Sequence, residues 1–198
     1  MTRLAVLAAL SLVLAIAPAL AQTDDDTPIR AGARALLFQV GPDLTLSGFD
    51  GAALSLRWHG SATRATRVGL TLNARAEGGD DVDEQFAALG VNAVFLTYRR
   101  SRTPVYLYHG FGPTGSVSLV RREFRDQEQG FVRASAGVLA VVGVEVPVTS
   151  AVSLSGEYGL SLEGTYQHQE RGPDGDDVTL LGVALGSRGA RAGLSVYF

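Results

Sequence analysis

From about residue 33 to the C-terminus, apolar side chains recur at every second position, and the alternating runs are separated by polar or glycine-containing breaks. A period of two is that of an extended strand, whose successive side chains point to opposite faces. Residues 53–59 place Leu54, Leu56 and Trp58 on one face and Ala53, Ser55, Arg57 and His59 on the other. Residues 67–76 set Val68, Leu70, Leu72, Ala74 and Ala76 against Arg67, Gly69, Thr71, Asn73 and Arg75. Residues 132–146 set Val132, Ala134, Ala136, Val138, Ala140, Val142, Val144 and Val146 opposite Arg133, Ser135, Gly137, Gly143 and Glu145. In 152–166, Val152, Leu154, Tyr158, Leu160, Leu162 and Tyr166 oppose Ser153, Ser155, Glu157, Gly159, Ser161 and Glu163. The last stretch puts Ala190, Ala192, Leu194, Val196 and Phe198 opposite Gly189, Arg191, Gly193, Ser195 and Tyr197. No sustained apolar stripe of helical period follows residue 21, so the chain reads as all-β.

Eight runs are expected: 33–41, 53–59, 67–76, 86–98, 104–119, 132–146, 152–166 and 178–198. The first, fourth and fifth alternate less cleanly, and their facing stays open. The eighth changes parity at Ser187-Arg188-Gly189, as a bulge or a short turn would make it do. Connections alternate in character. Those at 60–66, 100–103 and 147–150 are short, whereas those at 42–50, 77–84, 122–130 and 169–177 are longer or more polar. Short turns at one end and longer loops at the other, with an even strand number, predict an eight-stranded antiparallel up-and-down transmembrane β-barrel with both termini at the short-turn end.

The same alternation would suit a soluble sandwich or a lipocalin-like barrel, so the facing needs its own argument. A water-exposed face carries many charges, but the polar face here is mostly Gly, Ser, Thr, Asn and Ala with isolated Arg and Glu. Arginine on a lipid face at the bilayer midplane costs about 2–4 kcal/mol. Arg57, Arg67, Arg75, Arg133 and Arg191 therefore belong inside or near a rim, on the side that also holds Glu145, Glu157 and Glu163. Some of these are expected to pair across the lumen, because a buried unpaired carboxylate is costly. Eight strands enclose an interior that side chains can fill, so a plugged barrel is expected. Trp58, Tyr98, Tyr106, Tyr108, Tyr158, Tyr166, Tyr197 and Phe198 are candidates for the aromatic girdles at the two interfaces.

The N-terminus has the layout of a signal peptide: Arg3, an apolar run over 4–17, then Pro18 and Ala19-Leu20-Ala21, with cleavage expected after Ala21. The apolar run is shorter than a spanning helix needs. Residues 22–198 then form the barrel domain, with 22–32, rich in Asp24, Asp25 and Asp26, as a flexible lead-in. The chain carries 17 basic and 20 acidic residues and a formal charge of −3, which argues against a nucleic-acid partner. It has no cysteine, which excludes disulfides, thiolate metal sites, a cysteine nucleophile and a lipid-anchored N-terminal cysteine.

These residues resemble the small outer-membrane β-barrel family of OmpA/OmpX type. The resemblance rests on Gly193-Leu194-Ser195-Val196-Tyr197-Phe198 as the terminal strand signal, on 154–160 with its Glu157-Tyr158-Gly159 centre, and on 104–113. It implies a cell outer-membrane location, and insertion by the outer-membrane assembly machinery through a C-terminal signal containing Leu194, Val196, Tyr197 and Phe198. It implies no enzyme, and no trailing peptidoglycan-binding domain is expected after Phe198.

Candidate chemistry is sparse. His59, His109 and His168 are the histidines, and barrel enzymes that modify lipid need a histidine within reach of a serine nucleophile. The neighbours of His168 are Tyr166, Gln167, Gln169 and Glu170, with no serine among them, so a lipid-modifying enzyme is disfavoured. Asp80, Asp81, Asp83 and Glu84, and Asp174, Asp176 and Asp177, match no calcium-loop spacing and read as solvated loop charge. Arg121, Arg122 and Arg125, beside Glu123, Asp126 and Glu128, read the same way. No cofactor or metal is expected. The expected role is structural or surface-interactive for a monomer in contact with outer-membrane lipids and lipopolysaccharide. The alternative is a small passive porin for minor solutes, with the excess of inward arginine favouring anions.

Overall fold

The computed structural model describes residues 27–41, 52–78, 82–101, 104–124, 127–170 and 178–198. The signal-peptide segment, residues 22–26 of the lead-in and the connections 42–51 and 171–177 lie outside the described residues. Eight strands follow in order: β1 (Arg34–Val40), β2 (Ala52–Ser61), β3 (Arg64–Gly78), β4 (Val82–Arg100), β5 (Tyr106–Phe124), β6 (Gln127–Pro147), β7 (Val152–Glu170) and β8 (Val178–Tyr197). Each pairs antiparallel with the next, and β1 closes on β8 with Leu36 opposite Val196 and Leu37 opposite Ser195. The expected up-and-down eight-stranded barrel is what the chain forms.

The two faces are inverted relative to a soluble domain. Leu54, Leu56 and Trp58 of β2, Val68, Leu70 and Leu72 of β3, and Val138, Val142 and Val144 of β6 all stand exposed on the outer surface. Arg57, Arg67, Glu145 and Glu157 are buried inside. A continuous apolar outer band around a polar interior matches a hydrocarbon surround, since in water so large an exposed apolar surface would drive association.

The three strands whose facing was open are now assigned. Ala35, Leu37 and Gln39 of β1, Val94, Leu96 and Tyr98 of β4, and Tyr106 and Tyr108 of β5 point inward. Their alternation is blurred because inward Leu37 sits beside outward Leu36 and Phe38, and inward Val94 and Leu96 flank outward Phe95. The lower lumen is itself apolar and aromatic, so both faces of these strands carry large hydrophobic residues. The parity change in the last strand is a β-bulge. Gly159 pairs with Gly189 and Leu160 with Ser187, leaving Arg188 as the extra residue, and Gly189 adopts a positive φ of 66° that suits glycine. The strand count stays at eight.

The connections are tighter than expected at two outer ends. β3 and β4 remain paired from Arg64 opposite Thr97 out to Gly78 opposite Asp83, and β5 and β6 from Tyr106 opposite Glu145 to Phe124 opposite Gln127. The polar segments 77–84 and 122–130 are therefore largely strand. β6 runs for 21 residues, about twice the 9–11 that cross a bilayer. At the opposite end the β2–β3 turn is only Ala62-Thr63. The described part of β1 ends at Val40 and pairs with β8 only from Ala192 to Tyr197, and outward Leu181, Val183 and Leu185 of β8 are 79–82% exposed.

Candidate functional site in the barrel interior

Strand alternation aims one residue in two at the lumen, and in a ring of eight the strand four places on lies across it. β2 thus faces β6, and β3 faces β7. Arg57 of β2 reaches Glu145 of β6 through two hydrogen bonds, Nη1 to Oε2 at 2.6 Å and Nη2 to Oε1 at 3.0 Å. Both side chains are at most 1% exposed. Arg57 also donates to the Tyr98 hydroxyl and to Ser195 Oγ at 2.6 Å. The Glu145 carboxylate accepts further hydrogen bonds from Tyr98 at 3.2 Å, Tyr197 at 2.7 Å and Ser153. Charge-assisted, bidentate geometry with every carboxylate oxygen occupied is the arrangement in which a buried ion pair is tolerated.

A second pair stands above the first. Arg67 of β3 contacts Glu157 of β7 at 2.5 and 3.0 Å, and the Tyr108 hydroxyl of β5 donates to the same carboxylate at 3.1 Å. A third group is more open. Arg188 of β8 donates to Glu163 of β7 at 2.7 Å and to Thr114 of β5 at 3.2 Å, and Ser135 donates to Glu163 at 2.6 Å. Its arginine and glutamate side chains are 22% and 15% exposed, against at most 5% in the two pairs nearer the short-turn end. Among these groups lies a small pocket lined by Arg67, Glu157, Arg188, Arg191, Asn92 and Ser55, with others.

At the base lies His59, whose ring is 5.2 Å from that of Tyr98 and 5.9 Å from that of Tyr197. Residues 27–32, the end of the expected flexible lead-in, are held against this base. Thr27 shares a 2.9 Å hydrogen bond with the Tyr106 hydroxyl, the Gly32 N–H donates to the His59 carbonyl, and Ile29 is 1% exposed within the apolar cluster of Ala35, Val94, Leu96 and Tyr98.

The expected lumen charges fall in distinct places. Arg57, Arg67, Glu145, Glu157 and Glu163 meet in the three layers, and Arg191 is half-buried on the wall of the pocket. Arg133 shares the face of Ser135 but is exposed toward the open end, and the Arg75 side chain lies outside the described residues. Four tyrosines assigned to the girdles are interior instead: Tyr98, Tyr106, Tyr108 and Tyr197 are 2–7% exposed. Their hydroxyls serve the buried carboxylates or the lead-in, whereas Trp58, Tyr158, Tyr166 and Phe198 do face outward. Arg188 escaped the sequence reading because the bulge reverses its parity. The strict alternation of Tyr197 with Val196 and Phe198 was the available signal for Tyr197. Leu194, Val196 and Phe198 lie on the outer face.

His109 lies on the outward side of β5, and His168 lies 3.4 Å from Thr179 Oγ1. Of the acidic and basic loop residues, Glu84 and Arg121 are described and both have partners, while the side chains of the others lie outside the described residues. Among the described residues no helix is long and apolar enough to cross a membrane, and no cluster of His, Asp or Glu could hold a metal ion.

No family model matches the chain, and comparison with curated proteins by sequence gives no match. Solved structures do resemble it. A major outer membrane protein from Thermus thermophilus superposes with a TM-score of 0.59 at 14% identity, covering 85% of this chain and all of that one. The attachment invasion locus protein of Yersinia pestis gives 0.47 at 13% identity, covering 85% of this chain and 99% of that one. Neisserial surface protein A gives 0.43 at 20% identity, covering 84% and 94%. At these identities the likeness is one of fold.

Proposed function

We propose that this chain, which has the fold of small outer-membrane β-barrel proteins, is an integral outer-membrane barrel with a closed lumen and a structural or surface-interacting role. The observation that carries the closed lumen is the pair of Arg–Glu bridges spanning opposite walls, Arg57 to Glu145 and Arg67 to Glu157, with Tyr98, Tyr108 and Tyr197 packed into the remaining space. A permeating ion would have to separate charges whose exposure is at most 5%. Delivery begins with cleavage of the N-terminal signal peptide after Ala21, and the assembly machinery then reads the outward Leu194, Val196 and Phe198, with Tyr197, on the closing strand. Lipids surround the apolar band, and lipopolysaccharide and other surface molecules meet the long-strand end. Binding without catalysis is favoured by the histidines: His59 is flanked by the Tyr98 and Tyr197 rings, and His168 shares a hydrogen bond with Thr179.

The test is single-channel conductance of the refolded mature chain in a planar bilayer, with heat-modifiable gel migration to confirm folding. Silence is the expected result. A steady anion-selective current, lost on mutating Arg57 or Arg133, would overturn the closed lumen and establish the passive-porin alternative.

A further inference from the structure

We propose that the middle of the barrel interior is a dead-end binding site for one small inorganic anion of halide size, with chloride as its ligand, held between Arg67, Arg188 and Arg191. The charge pattern is the first argument. Three guanidinium groups line this pocket, and the carboxylates available to them are Glu157 and Glu163. Both are already engaged. Glu157 accepts two hydrogen bonds from Arg67 and one from Tyr108, and Glu163 accepts from Arg188 and Ser135. One positive charge is left over.

That charge is Arg191. It stands directly opposite Glu157 in the β7–β8 register, where an adjacent-strand ion pair would be expected, yet it makes no hydrogen bond or ion pair with the described residues. The second argument is independent of charge. Arg67 is 2% exposed, and its Nε has no hydrogen-bond partner although the residue lines the pocket. A buried N–H donor without an acceptor is uncommon, and an acceptor in the pocket would satisfy it. Asn92, which also lines the pocket, has its amide oxygen without a hydrogen-bond partner.

Size selects among anions. The pocket is partly open and has room for about one water-sized particle; its two less buried guanidinium groups, Arg188 and Arg191, would have to swing outward slightly to admit a single-atom anion, and phosphate, sulfate or a sugar acid would need far more room. The approach is from the open end past the partly exposed Arg188–Glu163 pair, and the Arg57–Glu145 layer seals the route beyond. The anion contacts come from Arg67, Arg188 and Arg191 and not from the sealing layer, so a conducting barrel would overturn the closed-lumen reading and the dead end, whereas loss of anion binding in a silent barrel would overturn this site alone.

Chloride-35 NMR of the refolded mature chain in micelles, at constant ionic strength with gluconate as the balancing anion, measures binding directly. A saturable line broadening is expected, reversed by bromide and not by sulfate. Arg191→Gln should weaken it at least tenfold, whereas Arg133→Gln, at the rim, should leave it unchanged. Absence of saturable broadening in the wild type, an Arg191→Gln response equal to the wild type, or equal competition by sulfate would overturn the proposal. Wild-type crystals soaked in bromide provide a readout that needs no variant: an anomalous peak beside Arg191 is expected, and none at saturating bromide would refute the site.

Discussion

Replacing Glu145 by glutamine keeps the shape of the side chain and removes its charge at a position with no measurable exposure. Oε1 now accepts from Arg57 Nη2, Ser153 and Tyr197, and Oε2 from Arg57 Nη1 and Tyr98. An amide can place its oxygen at only one of these positions, so its NH₂ group confronts donors at the other, and the Arg57 cation is left buried without a counter-charge. Removing one partner of a buried pair costs about 3–5 kcal/mol. Leaving buried donors unsatisfied costs about 1–3 kcal/mol, overlapping with the first figure because both describe one network. A loss of about 4 kcal/mol, roughly a thousandfold in the folding equilibrium, is the expected outcome. Trp58 is the sole tryptophan and stands on the outer face beside Arg57, so its fluorescence during urea unfolding in micelles reports on this part of the wall. The double variant Arg57→Met/Glu145→Leu should recover more than half of the loss, since apolar replacement of both partners removes the stranded charge. A Glu145→Gln loss below about 1 kcal/mol, or a double variant no more stable than the single one, would refute the account of a network held together by its charges.

Two further outcomes follow from the wall. Deleting Phe198 should abolish delivery to the cell surface while leaving the chain able to refold in detergent; normal surface labelling of the truncated chain would sink the proposed assembly signal. Gly137 lies where an added Cβ would come within 2.0 Å of the Leu162 carbonyl oxygen on the neighbouring strand. Because that obstacle is backbone, Gly137→Ala should force the β6–β7 ladder apart at a cost of about 1–3 kcal/mol, read as a lowered urea midpoint, whereas an unchanged midpoint would show that the wall yields freely there.

Much of the architecture is legible along the chain, because a barrel in hydrocarbon imposes one rule on every strand: the outer face is apolar, and side chains alternate with a period of two. That rule is why β2, β3, β6 and β7 could be assigned face by face, and why Arg57, Arg67, Glu145 and Glu157 could be placed inside. It loses force where the inner face is apolar too, as at Leu37, Val94, Leu96 and Tyr108, and there only closure of the ring decides which side is which. It also misleads for tyrosine, whose ring suits a lipid interface and whose hydroxyl suits a buried carboxylate equally well.

Strand number, the outward face of the clear runs and the sign of the charges facing inward are readable along the chain, since all of these are local consequences of pleat and solvent. Which charges meet depends on closure of the ring. Arg57 and Glu145 are 88 residues apart and Arg67 and Glu157 are 90 apart, joined because a closed ring of eight brings strands four places apart across one narrow lumen. The bulge at Arg188 adds a third pair with Glu163 by turning one residue inward against the parity of its neighbours, and Arg191 stands opposite Glu157 without a hydrogen bond or close ion pair to the described residues.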